Sequence, residues 1–215
     1  MANESDFSWP LYHQAPIIGI IRNMPEETVY KIASCYLEAG FYTLEVTMNT
    51  KGVLAIIASL RKDFPELNIG AGTVCSLEDL HNAYNAGAQF IVTPIINEEV
   101  IKKSVDMGLP TFPGAYTPTE IYKAWSLGAS AVKVFPATQL GPLYIKNVLA
   151  PLNQIKLLPT GGVAQHNIKA FFEAGAFGVG MGSALLDKQK IQSADFVALK
   201  QHFLHIKAEI NDFLL

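Results

Sequence analysis

Two charged side chains stand where a folded chain rarely leaves charge. Lys133 lies in Ser130-Ala131-Val132-Lys133-Val134-Phe135-Pro136-Ala137, and Glu45 lies in Leu44-Glu45-Val46-Thr47. In an extended strand successive side chains point to opposite faces, so Ala131, Lys133 and Phe135 share one face and Val132 and Val134 the other. Both faces are otherwise apolar, as in a strand covered on both sides, and a charge there is costly unless paired or neutralised. A lysine desolvated by Val132, Val134 and Phe135 has a lowered pKa and becomes a nucleophile toward a carbonyl. A glutamate in the same surroundings is raised toward the range useful for proton transfer. Two quieter readings stay open: a lysine that snorkels out of a strand end, and a structural ion pair between Lys133 and Glu45.

The elements that must position this pair repeat along the chain. Short apolar runs of strand type alternate with amphipathic stretches that end in glycine, the common residue just past a helix C-terminus. Such endings fall at Gly40, Gly87, Gly108, Gly128 and Gly175, and Pro65 and Pro151 supply the stop in the two longer gaps. Strands are expected near Ile17–Ile21, Thr43–Thr47, Asn68–Ala71, Phe90–Thr93, Thr111–Pro113, Ala131–Phe135, Lys156–Thr160 and Gly178–Gly180. Helices follow them, as in Glu26–Glu38, Leu77–Tyr84, Glu98–Met107, Pro118–Leu127 and Asn167–Ala174. Strict alternation implies an α/β fold with a parallel sheet and right-handed crossovers. Eight units suggest a (β/α)8 TIM barrel, with residues 1–215 as one domain, residues 1–15 as a short N-terminal helical extension and residues 188–215 as a C-terminal helix. A doubly wound open sheet is the alternative, and it calls for a glycine-rich dinucleotide turn that Gly19-Ile20-Ile21-Arg22-Asn23 does not supply.

In such a barrel the site forms at the C-terminal ends of the strands. Those ends carry Arg22, Glu45 with Asn49, Gly72-Thr73, Thr93-Pro94, Pro113-Gly114, Lys133 with Phe135, Thr160-Gly161-Gly162 and Gly180-Met181-Gly182-Ser183. Backbone N–H groups of Gly161-Gly162 and of Gly182-Ser183, the latter opening a short helical turn at Ala184-Leu185-Leu186, would form a phosphate cradle. Each glycine taken singly is also explained as a plain turn residue.

Composition narrows the partners. The 215 residues carry a formal net charge of -3, and half are hydrophobic, which leaves no basic footprint for nucleic acid or an anionic membrane. The start MANESDFSWPLYHQ has neither the basic opening nor the apolar stretch of a secretory signal, and no run reaches the length of a membrane span. Cys35 and Cys75 have no metal or redox spacing, and the five histidines are scattered. A cytoplasmic enzyme with neither metal nor other cofactor is expected.

The set Leu44-Glu45-Val46-Thr47, Gly70-Ala71-Gly72-Thr73-Val74, Thr93-Pro94, Pro113-Gly114 with Thr117-Pro118-Thr119-Glu120, Val132-Lys133-Val134-Phe135-Pro136-Ala137, Pro159-Thr160-Gly161-Gly162-Val163 and Gly182-Ser183 resembles the 2-keto-3-deoxy-6-phosphogluconate (KDPG) / 4-hydroxy-2-oxoglutarate aldolase family, in order from about Pro16 to about Leu186. The resemblance implies a class I, metal-independent homotrimeric aldolase of the Entner–Doudoroff type, which splits a phosphorylated 2-keto-3-deoxy sugar acid into pyruvate and glyceraldehyde 3-phosphate. It implies Lys133 as the Schiff-base lysine and Glu45 as the proton carrier. It places Thr73 on the pyruvyl carboxylate, Pro94 and Phe135 as pocket walls, and Gly162 with Ser183 on the phosphate. One departure is clear: gluconate-type members read LEVTLRT where this chain has Leu44-Glu45-Val46-Thr47-Met48-Asn49-Thr50. Asn49, together with Gly141-Pro142-Leu143-Tyr144-Ile145-Lys146, is similar to the branch that cleaves the 6-phosphogalactonate epimer, whereas Thr160 follows the gluconate pattern. Arg22 is then either the substitute cation for the carboxylate or a rim arginine. A phosphosugar isomerase or epimerase, and a non-catalytic phosphosugar-binding protein, are the rival functions.

Overall fold

In the computed structural model, which describes residues 6–214, strands and helices alternate as the punctuation implies. The chain runs through α1 (Trp9–Gln14), β1 (Ile17–Ile21), α2 (Glu26–Glu38), β2 (Thr43–Thr47), α3 (Val53–Asp63), β3 (Asn68–Gly72), α4 (Leu77–Asn85), β4 (Ile91–Val92) and α5 (Glu98–Asp106). It continues through β5 (Thr111–Phe112), β6 (Gly114–Ala115), α6 (Pro118–Ser126), β7 (Val132–Val134), α7 (Gly141–Leu149), β8 (Leu157–Pro159), α8 (Ile168–Glu173), β9 (Val179–Met181), α9 (Lys188–Gln192) and α10 (Phe196–Ala208), and ends in a 3-10 turn at Asn211–Phe213. Helix starts are set by side chains: Ser76 with Asp79, and Thr117 with Glu120, form reciprocal caps at α4 and α6.

Every strand pairing is parallel. One sheet runs in the order β5-β4-β3-β2-β1-β9 and a second in the order β6-β7-β8. A parallel bridge between Thr160 and Gly180 links β8 to β9. The expected fifth strand is two pieces, because Pro113 has no N–H to give the ladder. Its carbonyl still accepts from Lys133 N–H at 2.9 Å, while the Gly114 N–H turns to Thr93 Oγ1.

Alternation divides the strand residues into two sets. Ile17, Ile21, Leu44, Val46, Ile69, Ala71, Ile91, Val132, Val134, Leu157 and Val179 pack in the large cluster that also contains the helix faces. Residues of the opposite parity, Ile18, Phe90, Val92, Phe112, Ala131 and Leu158, form a separate cluster with Phe7 and Tyr12. The helix α1 belongs to this second cluster. It is capped by the Ser8 hydroxyl and tied to β3, where Ser8 N–H donates to Asn68 Oδ1 at 2.7 Å and Asn68 Nδ2 donates back to Ser8 O at 3.0 Å. Met1–Ser5 of the expected extension, and Leu215, lie outside the described residues.

The expected single helix over residues 188–215 is a correction. Ala194 takes a left-handed φ of 55°, and the Asp195 carboxylate accepts from Ala198 N–H at 2.9 Å, so one helix stops and a newly capped one starts. The expected helical turn at Ala184-Leu185-Leu186 is a hydrogen-bonded turn, with Leu185 and Leu186 N–H both donating to Gly182 O.

Candidate active site

The middle of β7 puts Lys133 on the same face as Ala131, and β2 puts Glu45 on a face shared with Thr43 and Thr47. Register aligns Glu45 with Ile20 of β1 and Gly70 of β3, and Lys133 with Gly114 and Leu158. Lys133 is 5% exposed and Glu45 1% exposed, so both are out of bulk water. Among the described residues neither takes part in an ion pair within 4.0 Å, and Glu45 Oε2 has no hydrogen-bond partner. The structural ion pair left open by the sequence is therefore not what holds the two groups. The ammonium instead faces the Phe135 ring at 4.8 Å, a contact that favours positive charge.

The electrostatics follow from this burial. Desolvation drives the Lys133 ammonium below the ordinary lysine range; the Glu45 carboxylate pulls it back up and Arg22 pushes it further down. Desolvation raises the Glu45 carboxyl, opposed by Lys133 and then Arg22. Each group thus moves toward its neutral form, an amine ready to attack and a carboxyl able to exchange a proton. Gly72 makes room for this arrangement, since a Cβ there would collide with the Glu45 carboxylate.

A cleft of about 870 Å³ opens beside Lys133. Arg22, Phe135, Thr160, Gly161, Gly162, Gly182 and Ser183 line it, eight of the expected site residues counting Lys133 itself. Arg22 is exposed at the rim, and its charge reaches both buried groups. Thr160 is buried, with its hydroxyl donating to Leu158 O at 3.3 Å and its side chain filling the space over Gly180. The glycine turns carry no acceptor for their amides: among the described residues the N–H groups of Gly161, Gly162, Val163, Ser183 and Ala184 make no hydrogen bond. Gly161 and Gly162 have φ of 86° and 77°, and a Cβ on Gly162 would press on Thr138 Cα at 2.7 Å, so only glycine fits. Unbonded amides gathered along one cleft suit an anion.

Four expected residues do not line this cleft. Glu45 is buried and takes no part in the lining. Thr73, just past β3, is half-buried with a left-handed φ of 58°, an uncommon conformation for a β-branched residue, and Pro94, just past β4, is half-buried with its carbonyl against Gly114. Asn49 is exposed on the turn after β2, and its Oδ1 is already taken by the Thr47 hydroxyl at 2.7 Å. Thr47 Oγ1 lies 3.2 Å from Thr50 Oγ1, which accepts from Asn23 N–H at 3.0 Å. This chain of contacts ties the turn after β2 to the loop that carries Arg22. Asn23 and Thr50 belong to no periodic pattern, and nothing in the sequence singled them out. Cys75 was set aside for want of a motif; burial and then Asp79 hold its thiol above the ordinary range, and the Lys133 charge opposes them.

Fold and site together define a parallel-sheet α/β enzyme with a buried lysine and carboxylate on β7 and β2 and glycine turns with unbonded amides on the cleft wall. A family model described as "Aldolase: KDPG and KHG aldolase" matches residues 11–202. The chain is 34% identical over 190 residues to the 2-dehydro-3-deoxy-6-phosphogalactonate aldolase of Escherichia coli, covering 85% of this chain and 93% of that one. It is 32% identical over 194 residues to the 2-dehydro-3-deoxy-phosphogluconate aldolase of Treponema pallidum, covering 88% and 92%. The native KDPGal structure superposes with a TM-score of 0.86 at 30% identity over 93% of this chain and 96% of that one. The chain belongs to the KDPG and KHG aldolase family, and it is a lyase.

Proposed function

We propose that the protein cleaves a 2-keto-3-deoxy-6-phospho sugar acid, the gluconate or its galactonate epimer, into pyruvate and glyceraldehyde 3-phosphate through an imine on Lys133. The observation that carries the reading is the desolvated, unpaired amine beside a desolvated carboxyl. The neutral Lys133 amine attacks the C2 ketone; the protonated Glu45 carboxyl gives its proton to the carbinolamine hydroxyl, which leaves as water, so that an iminium and the Glu45 carboxylate remain. Glu45 accepts the C4 hydroxyl proton; the C3–C4 bond breaks, its electrons pass into the iminium to give an enamine, and the aldehyde leaves. Glu45 then returns a proton to C3, and water hydrolyses the imine to release pyruvate and free the lysine.

The remaining roles are assigned from the family pattern, supported for Arg22, Phe135, Thr160 and the glycine turns by their place on the cleft wall. Gly161, Gly162, Gly182 and Ser183 present amides to the phosphate, with Thr160 buttressing the turn. Phe135 and Pro94 wall the reacting carbons, and Thr73 holds the carboxylate. Arg22 supplies the cation that the family arginine provides elsewhere, since Asn49 stands in that place. With Oδ1 occupied by Thr47, Asn49 offers the substrate its Nδ2 donor.

The two sheets are read as one closed (β/α)8 barrel within a single domain, 1–215. Support comes from the Thr160–Gly180 bridge and from continuity of the chain through Pro113 between β5 and β6. A homotrimer is supported by the exposed apolar side chains Ile95, Tyr116, Tyr122 and Leu143 on neighbouring strand-end loops and helices. Similarity at 30% identity to a designed cage made by fusing symmetric oligomeric domains also favours an oligomer. Among the described residues no helix is long and apolar enough to cross a membrane. We place the enzyme in the cytoplasm with a small-molecule substrate, a reading in line with its formal net charge of -3.

An isomerase would need no imine, and family membership favours the aldolase over it and over a mere binding protein. The experiment is a comparison of kcat/KM for the two epimeric 6-phosphates, with both products measured. Equimolar pyruvate and glyceraldehyde 3-phosphate from at least one epimer is expected, and no cleavage of either would overturn the reading.

A further inference from the structure

The turn that places Ser183 and Ala184 in the cleft wall is held from behind by a residue far along the chain. His202, on α10, is half-buried, and its Nε2 lies 2.8 Å from Ala184 O. A carbonyl oxygen only accepts, so Nε2 carries the proton and donates. The same peptide unit is fixed at its other end, where Leu185 N–H donates to Gly182 O at 3.0 Å, and Leu186 N–H donates to that oxygen at 2.8 Å. With its carbonyl bonded to α10 and its following amides folded onto Gly182, the turn keeps Ser183 and Ala184 in the cleft wall with their N–H groups unbonded. Ala184 and Ala164 line both this cleft and a second groove of about 770 Å³, in which His202 stands beside His166, Lys169 and Glu209. The turn is thus a thin wall between two open spaces. Without a donor behind it, the Ala184 carbonyl has only the solvent of the rear groove to bond.

We propose that His202 is a positioning residue for the phosphate, orienting the Ser183–Ala184 turn through its hydrogen bond to Ala184 O without touching substrate. The proposal rests on the phosphate-cradle reading of the two glycine turns. His202 touches neither Lys133 nor Glu45 among the contacts described, so its loss weakens recognition of the phosphate and leaves imine chemistry alone.

The test compares 2-keto-3-deoxy-6-phosphogluconate, or its galactonate epimer, with the same keto acid lacking phosphate. Exchange of pyruvate methyl protons, which needs Lys133 and Glu45 but no phosphate, serves as the internal control. Wild-type enzyme favours the phosphorylated acid through KM; absence of that preference would remove the cradle reading itself, whatever the variants do. His202→Leu and His202→Met raise KM for the phosphorylated acid roughly tenfold, about the worth of one hydrogen bond that holds a peptide in place. They leave kcat, pyruvate exchange and KM for the unphosphorylated acid unchanged. His202→Gln, whose amide can donate over a similar reach, restores the wild-type KM. A wild-type KM in the Leu and Met variants, or parallel loss of pyruvate exchange in both, would overturn the proposal while leaving the cradle standing.

Discussion

The two ends of the strands are built on opposite principles. At the N-terminal end, rings fill the space: Phe7, Tyr12, Phe90 and Phe112 are buried together, Trp9 and Phe177 pack against them, and Phe7 meets Phe90 edge-on at 5.4 Å. At the C-terminal end stand a buried amine, a buried carboxyl with an unbonded oxygen, free amides and the left-handed backbone of Thr73. The first end is a source of stability. The second holds groups that a stability-optimised protein would discard, and the difference separates what folding needs from what the reaction needs.

The sharpest way to separate the ends is Glu45→Gln. The amide cannot carry a proton between substrate atoms, so pyruvate methyl-proton exchange and cleavage should fall by a factor of roughly 10²–10⁴. Stability should move the other way. Because burial raises the folded-state carboxyl above its unfolded value, folding favours the protonated form. That contribution is present below the ordinary carboxylate range and is lost as pH rises through the raised folded value. The variant lacks this loss, so denaturant melts should show it gaining on the wild type as pH rises, and a gain confined to acid would contradict the assignment.

At the other end, Phe112→Ala should cost about 3–5 kcal/mol, the usual penalty for emptying a buried aromatic site. Well below the lowered melting temperature, kcat should stay within about twofold of wild type, a shift worth well under 1 kcal/mol. A large fall in kcat with an unchanged melting temperature would dissolve the contrast. The smallest effect is expected from Tyr12→Phe. Tyr12 is fully buried and its hydroxyl has no partner, so burial alone pushes its pKa far up. Removing the oxygen should be neutral or stabilising by up to about 1 kcal/mol, read as a small rise in melting temperature; a loss above that size would mean that the hydroxyl is satisfied.

Much of this was legible in the sequence because it rests on local chemistry. Helix ends marked by Gly40, Gly87, Gly108, Gly128 and Gly175 recovered the alternation of elements, and α2 begins and ends where expected. Lys133 and Glu45 stood out because charge inside an apolar strand is rare, and both are buried. The break at Pro113 and the new cap at Asp195 were written in the sequence but outweighed by the expectation of longer elements. Other features depend on contacts between distant loops. The use of the Asn49 oxygen by Thr47, the tie from Thr50 to Asn23, and the hold of His202 on Ala184 across 18 residues leave no spacing to read.

The central claim is that the buried amine of Lys133 forms the imine. Incubation with pyruvate and borohydride, followed by peptide mapping, tests it directly, because reduction converts the imine to a stable secondary amine. The account predicts loss of activity with one reduced pyruvyl group on Lys133, and no labelling in Lys133→Met. Labelling at another lysine, or undiminished activity after treatment, would contradict it.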